Sequence, residues 1–258
     1  MKFRPCIDIH NGKVKQIVGG SLQDNAEATK ENFVSKQGAE FYANLYRKLN
    51  IQGGHIILLN PADSSYYKEN VQQAYKALKA YPNGMQIGGG INSKNAEVFL
   101  DAGASHVIVT SYVFKNGQVN YDRLREMVNA VGKNRLVLDL SCRKREDEYY
   151  IVTDRWQKYT NERISMELLD ELSKYCDEFL VHAVDVEGKA DGIEESLVSL
   201  LGKWSGIPIT YAGGVGSYDD LEVLKTLGKN HIDVTVGSAL DLFGGPLVFE
   251  KVLDIINK

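Results

Sequence analysis

The sequence predicts an α/β chain folded as a (β/α)8 TIM barrel with an internal half-barrel repeat. Three observations lead there. Short β-rich apolar runs alternate with helical patterns eight times, which implies parallel strands joined by right-handed crossovers. Three strand ends recur half a chain later: Asp8 as Asp139, Gly88-Gly89-Gly90 as Ala212-Gly213-Gly214, and Val109-Thr110-Ser111 as Val236-Gly237-Ser238. Such self-similarity marks a duplicated unit. Finally, no linker divides the 258 residues, so one barrel domain over 1–258 is expected. An open doubly wound sheet is the alternative, and the repeat favours closure.

The expected strands are Phe3–Ile9, His55–Leu59, Met85–Gly88, His106–Val109, Leu136–Leu140, Phe179–Ala183, Pro208–Tyr211 and Asp233–Val236. After the first comes a turn at Asn11-Gly12, then an extended run, Val14–Val18, closing on Gly19-Gly20. Helical spacing marks Glu69–Ala80, Ala96–Ala102, Arg123–Val131, Met166–Cys176, Ser196–Trp204, Tyr218–Leu227 and Leu247–Asn257. Ser93 and Ser217 stand before acidic first turns as start signals. The richest irregular stretch, Arg143–Arg155, follows Asp139 directly and reads either as a solvated hairpin or as a lid.

Composition is that of an ordinary globular protein, 43% hydrophobic and 25% charged. A net charge of −4 argues against a nucleic-acid surface but not against a small anion. Cys6, Cys142 and Cys176 are scattered, fit no zinc or CxxC spacing and suit buried packing in a reducing compartment. No apolar run reaches a membrane span and no signal region opens the chain, so a cytoplasmic protein is expected.

In a barrel of this kind the loops after the strands build the site. Gly89-Gly90 and Gly213-Gly214 end strands three and seven, where glycines let backbone N–H groups approach an anion. Gly237-Ser238 follows strand eight and Thr110-Ser111 takes the matching place after strand four. Each glycine cluster alone could serve a tight turn. Two clusters related by the repeat predict two phosphate sites on opposite sides of the mouth, hence a small molecule with a phosphate at each end. Asp8 and Asp139 would lie between them, where two carboxylates can divide acid and base roles. Structural capping is the other reading of that pair; a metal site lacks its ligand spacing. His182, at the end of strand six, can reach the site, and His10 can face the same side as Asp8. His55, His106 and His231 sit at strand starts, the stability end of a barrel. Trp156 is either core or a platform for a planar ring.

With these residues in place, the sequence resembles the phosphoribosylformimino-5-aminoimidazole carboxamide ribotide isomerases of histidine biosynthesis. The resemblance is carried by PCIDIHNGKVKQIVGG, MQIGGGINS, VIVTSYVF, LVLDL, Trp156, ITYAGGV and VTVGSAL, and it covers essentially the whole chain. It implies an Amadori rearrangement of an aminoaldose to an aminoketose without metal or cofactor, and a single barrel acting as a monomer is expected. Asp139 would be the acid that opens the ribose ring and Asp8 the base that takes the C2′ proton. Gly20, Gly89, Gly90, Thr110, Ser111, Arg143, Trp156, His182, Gly213, Gly214, Gly237 and Ser238 would contact the substrate. Trp156 would stack on the imidazole and the glycine clusters would hold the phosphates. The chain departs from the family at Leu58, where an aspartate is usual, and at Asn92, where an arginine is usual. It departs again in the Ala183–Gly188 turn. The related cyclase, which uses ammonia, has a lysine where this chain has Gln16. That cyclase and a non-catalytic phosphosugar-binding barrel are the rival readings.

Overall fold

The computed structural model describes residues 1–18 and 31–257. Gly20 lies outside the described residues. Eight parallel strands form the barrel: β1 (Cys6–His10), β2 (Gly54–Leu58), β3 (Met85–Gly88), β4 (Val107–Val109), β5 (Leu136–Asp139), β6 (Glu178–His182), β7 (Ile209–Ala212) and β8 (Ile232–Thr235). They pair in chain order, and the sheet closes where Phe3 bridges to Val234. Arg4 N donates to Val234 O at 2.8 Å and Val234 N to Lys2 O at 2.9 Å. The first strand was expected to run from Phe3. Pro5 has no N–H to give the ladder, so regular pairing with β2 begins at Cys6 and the residues before it turn to β8.

The helices are α1 (Ala39–Lys48), α2 (Tyr67–Ala80), α3 (Ala96–Asp101), α4 (Tyr121–Val131), α5 (Met166–Leu172), α6 (Glu195–Leu201), α7 (Tyr218–Leu227) and α8 (Phe249–Ile256). Seven match the expected segments, some a turn shorter. Helix α1 was not foreseen. Its buried face is Ala39, Tyr42, Ala43 and Tyr46, a sound helical spacing written in alanines and tyrosines rather than in large aliphatics. At α7, Ser217 accepts from the Asp220 amide while the Asp220 carboxylate receives the Ser217 N–H, a reciprocal cap.

Strand alternation decides what enters the barrel. Ile7 and Ile9 pack outward under the helices, as do Leu138 and Leu140, and Val181 and Ala183. With a side-chain period of two, the residues between them, Asp8, Asp139 and His182, must point into the lumen. Below them Ile57, Ile108, Val137 and Leu180 pack together as an inner apolar layer. Beneath that layer lies a polar floor: Glu178 receives Gln86 at 2.9 Å and Thr210 at 2.6 Å, and Arg4 Nε donates to Asp233 at 2.8 Å.

Two antiparallel additions rise from the rim after the two repeat-related strands. After β1 come Lys13–Ile17 and Glu31–Val34. After β5 comes a three-stranded meander, Cys142–Arg145, Glu148–Thr153 and Lys158–Arg163. The charged Arg143–Arg155 run is therefore a hairpin, and its far turn reaches over the barrel mouth, where Asp154 and Trp156 line the main cavity.

Candidate active site

A cavity of about 670 Å³ opens at the carboxyl end of the strands, lined by Asp8, Asp139, Thr110, Trp156, His182 and Glu187. Gly89, Gly90 and Ser111 form one of its walls. A smaller recess of about 20 Å³ is bounded by Gly213, Gly214, Gly237 and Ser238. Asp8, His182 and Glu187 line both spaces. The mouth thus has a titratable centre with a glycine-walled side toward β3 and β4 and another toward β7 and β8.

The two glycine walls keep the repeat in their backbone. Gly89 and Gly213 have φ of +97° and +117°, and Gly90 and Gly214 of +73° and +81°. A side chain at Gly89 would meet the Leu58 carbonyl at 2.1 Å, and one at Gly213 the Ala183 carbonyl at 2.8 Å. Only glycine accepts both the left-handed dihedrals and the close approach.

The two aspartates differ sharply in their neighbours. The Asp139 carboxylate accepts the Ser141 amide at 2.8 Å, the Ser141 hydroxyl at 2.6 Å and the Thr110 hydroxyl at 3.1 Å. His182 Nδ1 stands 3.8 Å from it, an ion-pair rather than a hydrogen-bond distance, with Ser141 Oγ 3.3 Å from the same nitrogen. Burial alone would raise the Asp139 pKa; the His182 ring and the Ser141 donors outweigh it and hold the carboxyl below its usual range. The partner shift is consistent: despite burial, Asp139, Glu187 and Asp8 push His182 up to about 9. Asp139 is therefore ionised and His182 protonated at neutral pH.

Among the described residues, the hydrogen-bond contact to Asp8 is a long one, from Gln16 Nε2 at 3.4 Å. Burial, then the charge of Glu187, pushes it up to about 7, against a pull from His182. Glu187 is raised for the same chief reason, burial, and its Oε2 is buried without a hydrogen-bond partner among the described residues. Two carboxyls in one desolvated space resist ionising together, so the Asp8–Glu187 pair holds a proton near neutrality.

Arg143, expected to contact substrate, is not brought to the mouth. It lines neither space, and its Nε donates to Asp185 Oδ1 at 2.9 Å. That carboxylate also takes the Lys144 amide at 2.9 Å, which clamps the meander to the loop after β6. Thr110 and Ser111 do line the cavity, but each serves a protein partner: Thr110 bonds Asp139, and Ser111 Oγ accepts the Asp154 amide at 2.9 Å. Trp156 lies with its ring centroid 5.7 Å from that of His182. His106 bonds Asp177 and His231 bonds the Trp204 carbonyl, away from the mouth. His55 also stands at a strand start, second in β2, yet its ring reaches the recess. Its ring lies 5.7 Å from His182 and lines the smaller recess, where burial and His182 push it down to about 3 and keep it neutral. His10 is buried beside the Lys15–Glu31 pair; its Nδ1 stands 4.0 Å from Glu31 and takes no hydrogen bond among the described residues.

Glu187, Ser141 and the reach of His55 to the recess are not legible from the sequence signals used above. The signal for Glu187 was present, since an acidic residue before Gly188 follows a barrel strand on the rim that carries catalysis. Among the described residues, no group of three or more His, Cys, Asp or Glu side chains is arranged to hold a metal ion.

Residues 2–245 match the family of histidine biosynthesis proteins. The chain is 54% identical over 257 residues to the chloroplastic 1-(5-phosphoribosyl)-5-((5-phosphoribosylamino)methylideneamino) imidazole-4-carboxamide isomerase of Medicago truncatula, covering 98% of this chain and 81% of that protein. The isomerase of the same name from Yarrowia lipolytica is 45% identical, over 96% of this chain and 94% of that protein. That of Saccharomyces cerevisiae is also 45% identical, with the same two coverages.

Proposed function

The chain belongs to the family of histidine biosynthesis proteins, and from that premise we propose that it is the isomerase its relatives are named for, rearranging an aminoaldose ribotide with two phosphates into the aminoketose. The observation that carries this reading is the pair of repeat-related aspartates on one cavity, flanked by matching glycine walls. A phosphate at each end of the substrate would seat against one wall apiece, which sets the ribose between the acids.

The chemistry needs a proton delivered to the ribose ring oxygen, which breaks its bond to C1′ and leaves an imine. The C2′ proton must then leave to give an enolamine, and a proton must return at C1′ as the C2′ hydroxyl becomes a ketone. No net proton is consumed. Asp8 is the base at C2′: a carboxyl poised near pH 7 accepts and releases a proton at little cost. Asp139 serves the ring oxygen. In the free protein it is ionised, so the proton that passes through it comes from His182, and the two titrate as one unit. Trp156, beside His182, is the platform for the imidazole.

One observation favours a second donor. Glu187 is a raised carboxyl with a free buried oxygen on the same cavity. Glu187→Gln and Asp139→Asn, assayed for exchange of the C2′ proton with solvent, separate the two. The donor's loss stops both exchange and turnover, because ring opening precedes C2′ chemistry.

The functional test is turnover of the ribotide by pure protein without ammonia or added cofactor. Conversion to the aminoketose supports the reading; conversion that needs ammonia or a second protein supports the cyclase, and Gln16 argues against that. The reading also takes residues 1–258 as a single domain acting as a monomer, since the cavity is built within one chain; light scattering checks it. No helix among the described residues is long and apolar enough to cross a membrane. We assign the protein to the cytoplasm on its three free thiols. The named Medicago relative is chloroplastic, so imaging of the tagged full chain decides the compartment.

A further inference from the structure

We infer that Ser111 is a positioning residue: its hydroxyl joins an anion held at the β3–β4 wall to the meander turn that carries Trp156. The inference rests on the functional reading above for the identity of that anion. Ser111 follows Thr110 at the end of β4 and lines the main cavity beside Gly89 and Gly90. Its oxygen accepts the Asp154 amide at 2.9 Å. A serine hydroxyl has one proton to donate as well as lone pairs to accept with. The Asp154 amide uses a lone pair, so the hydroxyl proton remains available to an acceptor in the cavity that Ser111 lines.

The turn it holds is costly to build. Asp154, Arg155 and Trp156 lie consecutively in the left-handed region, with φ of +51°, +57° and +66°. None is glycine, and such a run persists when its surroundings over-determine it. The Asp154–Lys158 ion pair at 2.8 Å and the Gln157 amide on Thr153 O at 3.1 Å brace it from within. Ser111 ties it to the barrel rim, so that Trp156 is set 5.7 Å from His182. An anion accepting the Ser111 proton polarises that hydroxyl and makes its oxygen a better acceptor for Asp154. Anion binding and the seating of Trp156 therefore reinforce each other, and the coupling is reciprocal. Thr110 hands the same loop to Asp139, so loop four touches anion, acid and aromatic platform at once.

The test uses a Trp204→Phe protein, in which Trp156 is the sole tryptophan of the two present. Inorganic phosphate is titrated while Trp156 emission is read, with calorimetry to follow phosphate binding independently. The parent and its Ser111→Thr variant are expected to shift emission as phosphate binds. Ser111→Ala is expected to bind phosphate about threefold to tenfold more weakly, the loss of one hydrogen bond, and to show no emission shift even at saturation. A full-sized shift in Ser111→Ala overturns the inference, as does a parent whose emission ignores bound phosphate or a Ser111→Thr variant that behaves like alanine. The emission readout needs no turnover. A parent that shifts but does not isomerise keeps the coupling and removes the functional reading; one that isomerises without shifting does the reverse.

Discussion

In the first half of the barrel, Asp8 within β1 faces Glu187 and a long contact from Gln16. In the second half, Asp139 at the end of β5 faces two donors from Ser141, one from Thr110, and the His182 ring. The scaffolds match: each aspartate sits between outward-packed aliphatics and points inward by strand alternation. The carboxyls nevertheless move in opposite directions, one up to about 7 and the other below its usual range. Duplication supplies two equivalent places for an acid. The loops that follow the strands decide what each acid can do, and the loop after β6, with Glu187 and His182 at its start, acts on both at once.

The largest expected effect comes from erasing either member. Asp8→Asn and Asp139→Asn should each lower turnover by about 100-fold or more, with KM changed far less, since under the proposed function each removes a proton-transfer group rather than a binding contact. Steady-state kinetics on the ribotide checks this. Wild-type turnover in either variant breaks the comparison, because that aspartate would then be a bystander.

The pH profile sharpens it. A base that must be ionised with a pKa near 7 and a proton source near 9 give a bell-shaped kcat/KM with limbs near those values. His182→Gln should remove the alkaline limb and lower turnover about tenfold or more. A profile unchanged by that variant separates His182 from the chemistry.

Stability gives a smaller effect with opposite signs. The folded pKa of Asp8 is raised, so its ionisation opposes folding increasingly above its unfolded value near 4 and fully above about 7. Asp8→Asn should raise Tm at pH 8 by a few degrees, on the order of 1 kcal/mol given its contact with the cavity, and leave it unchanged below pH 4. The folded pKa of Asp139 is depressed, so its stabilisation is present above the unfolded value and lost as pH falls through the folded one. Asp139→Asn strands the His182 cation and should cost on the order of 1–3 kcal/mol at neutral pH. Melts at two pH values check both, and equal signs would contradict the split. The smallest effect belongs to Arg143→Ala. With its side chain held by Asp185 outside the cavity, KM should change by less than about threefold.

The fold was legible because its signals are local and repeated. Strands with aliphatics on either side of a polar residue, such as Ile7-Asp8-Ile9 and Leu138-Asp139-Leu140, declare both the strand and the inward residue. The glycine walls could be read because positive φ and a close carbonyl leave no other choice of residue. Helix α1 escaped because alanine and tyrosine carry a weaker periodic signal than leucine or isoleucine. The partners within the site escaped for a different reason. Arg143 meets Asp185, Ser111 meets the Asp154 amide and Asp8 feels Glu187 only after distant loops are folded onto one rim. No spacing along the chain encodes those meetings, and they set the electrostatics.

The most direct measurement is a site-resolved titration of the two carboxyls by carbon-13 NMR on protein labelled at aspartate, assigned with Asp8→Asn and Asp139→Asn. The Asp8 resonance is expected to titrate near pH 7 and the Asp139 resonance to remain that of a carboxylate down to below its ordinary range. Two aspartates titrating together, or Asp139 titrating above Asp8, would contradict that expectation.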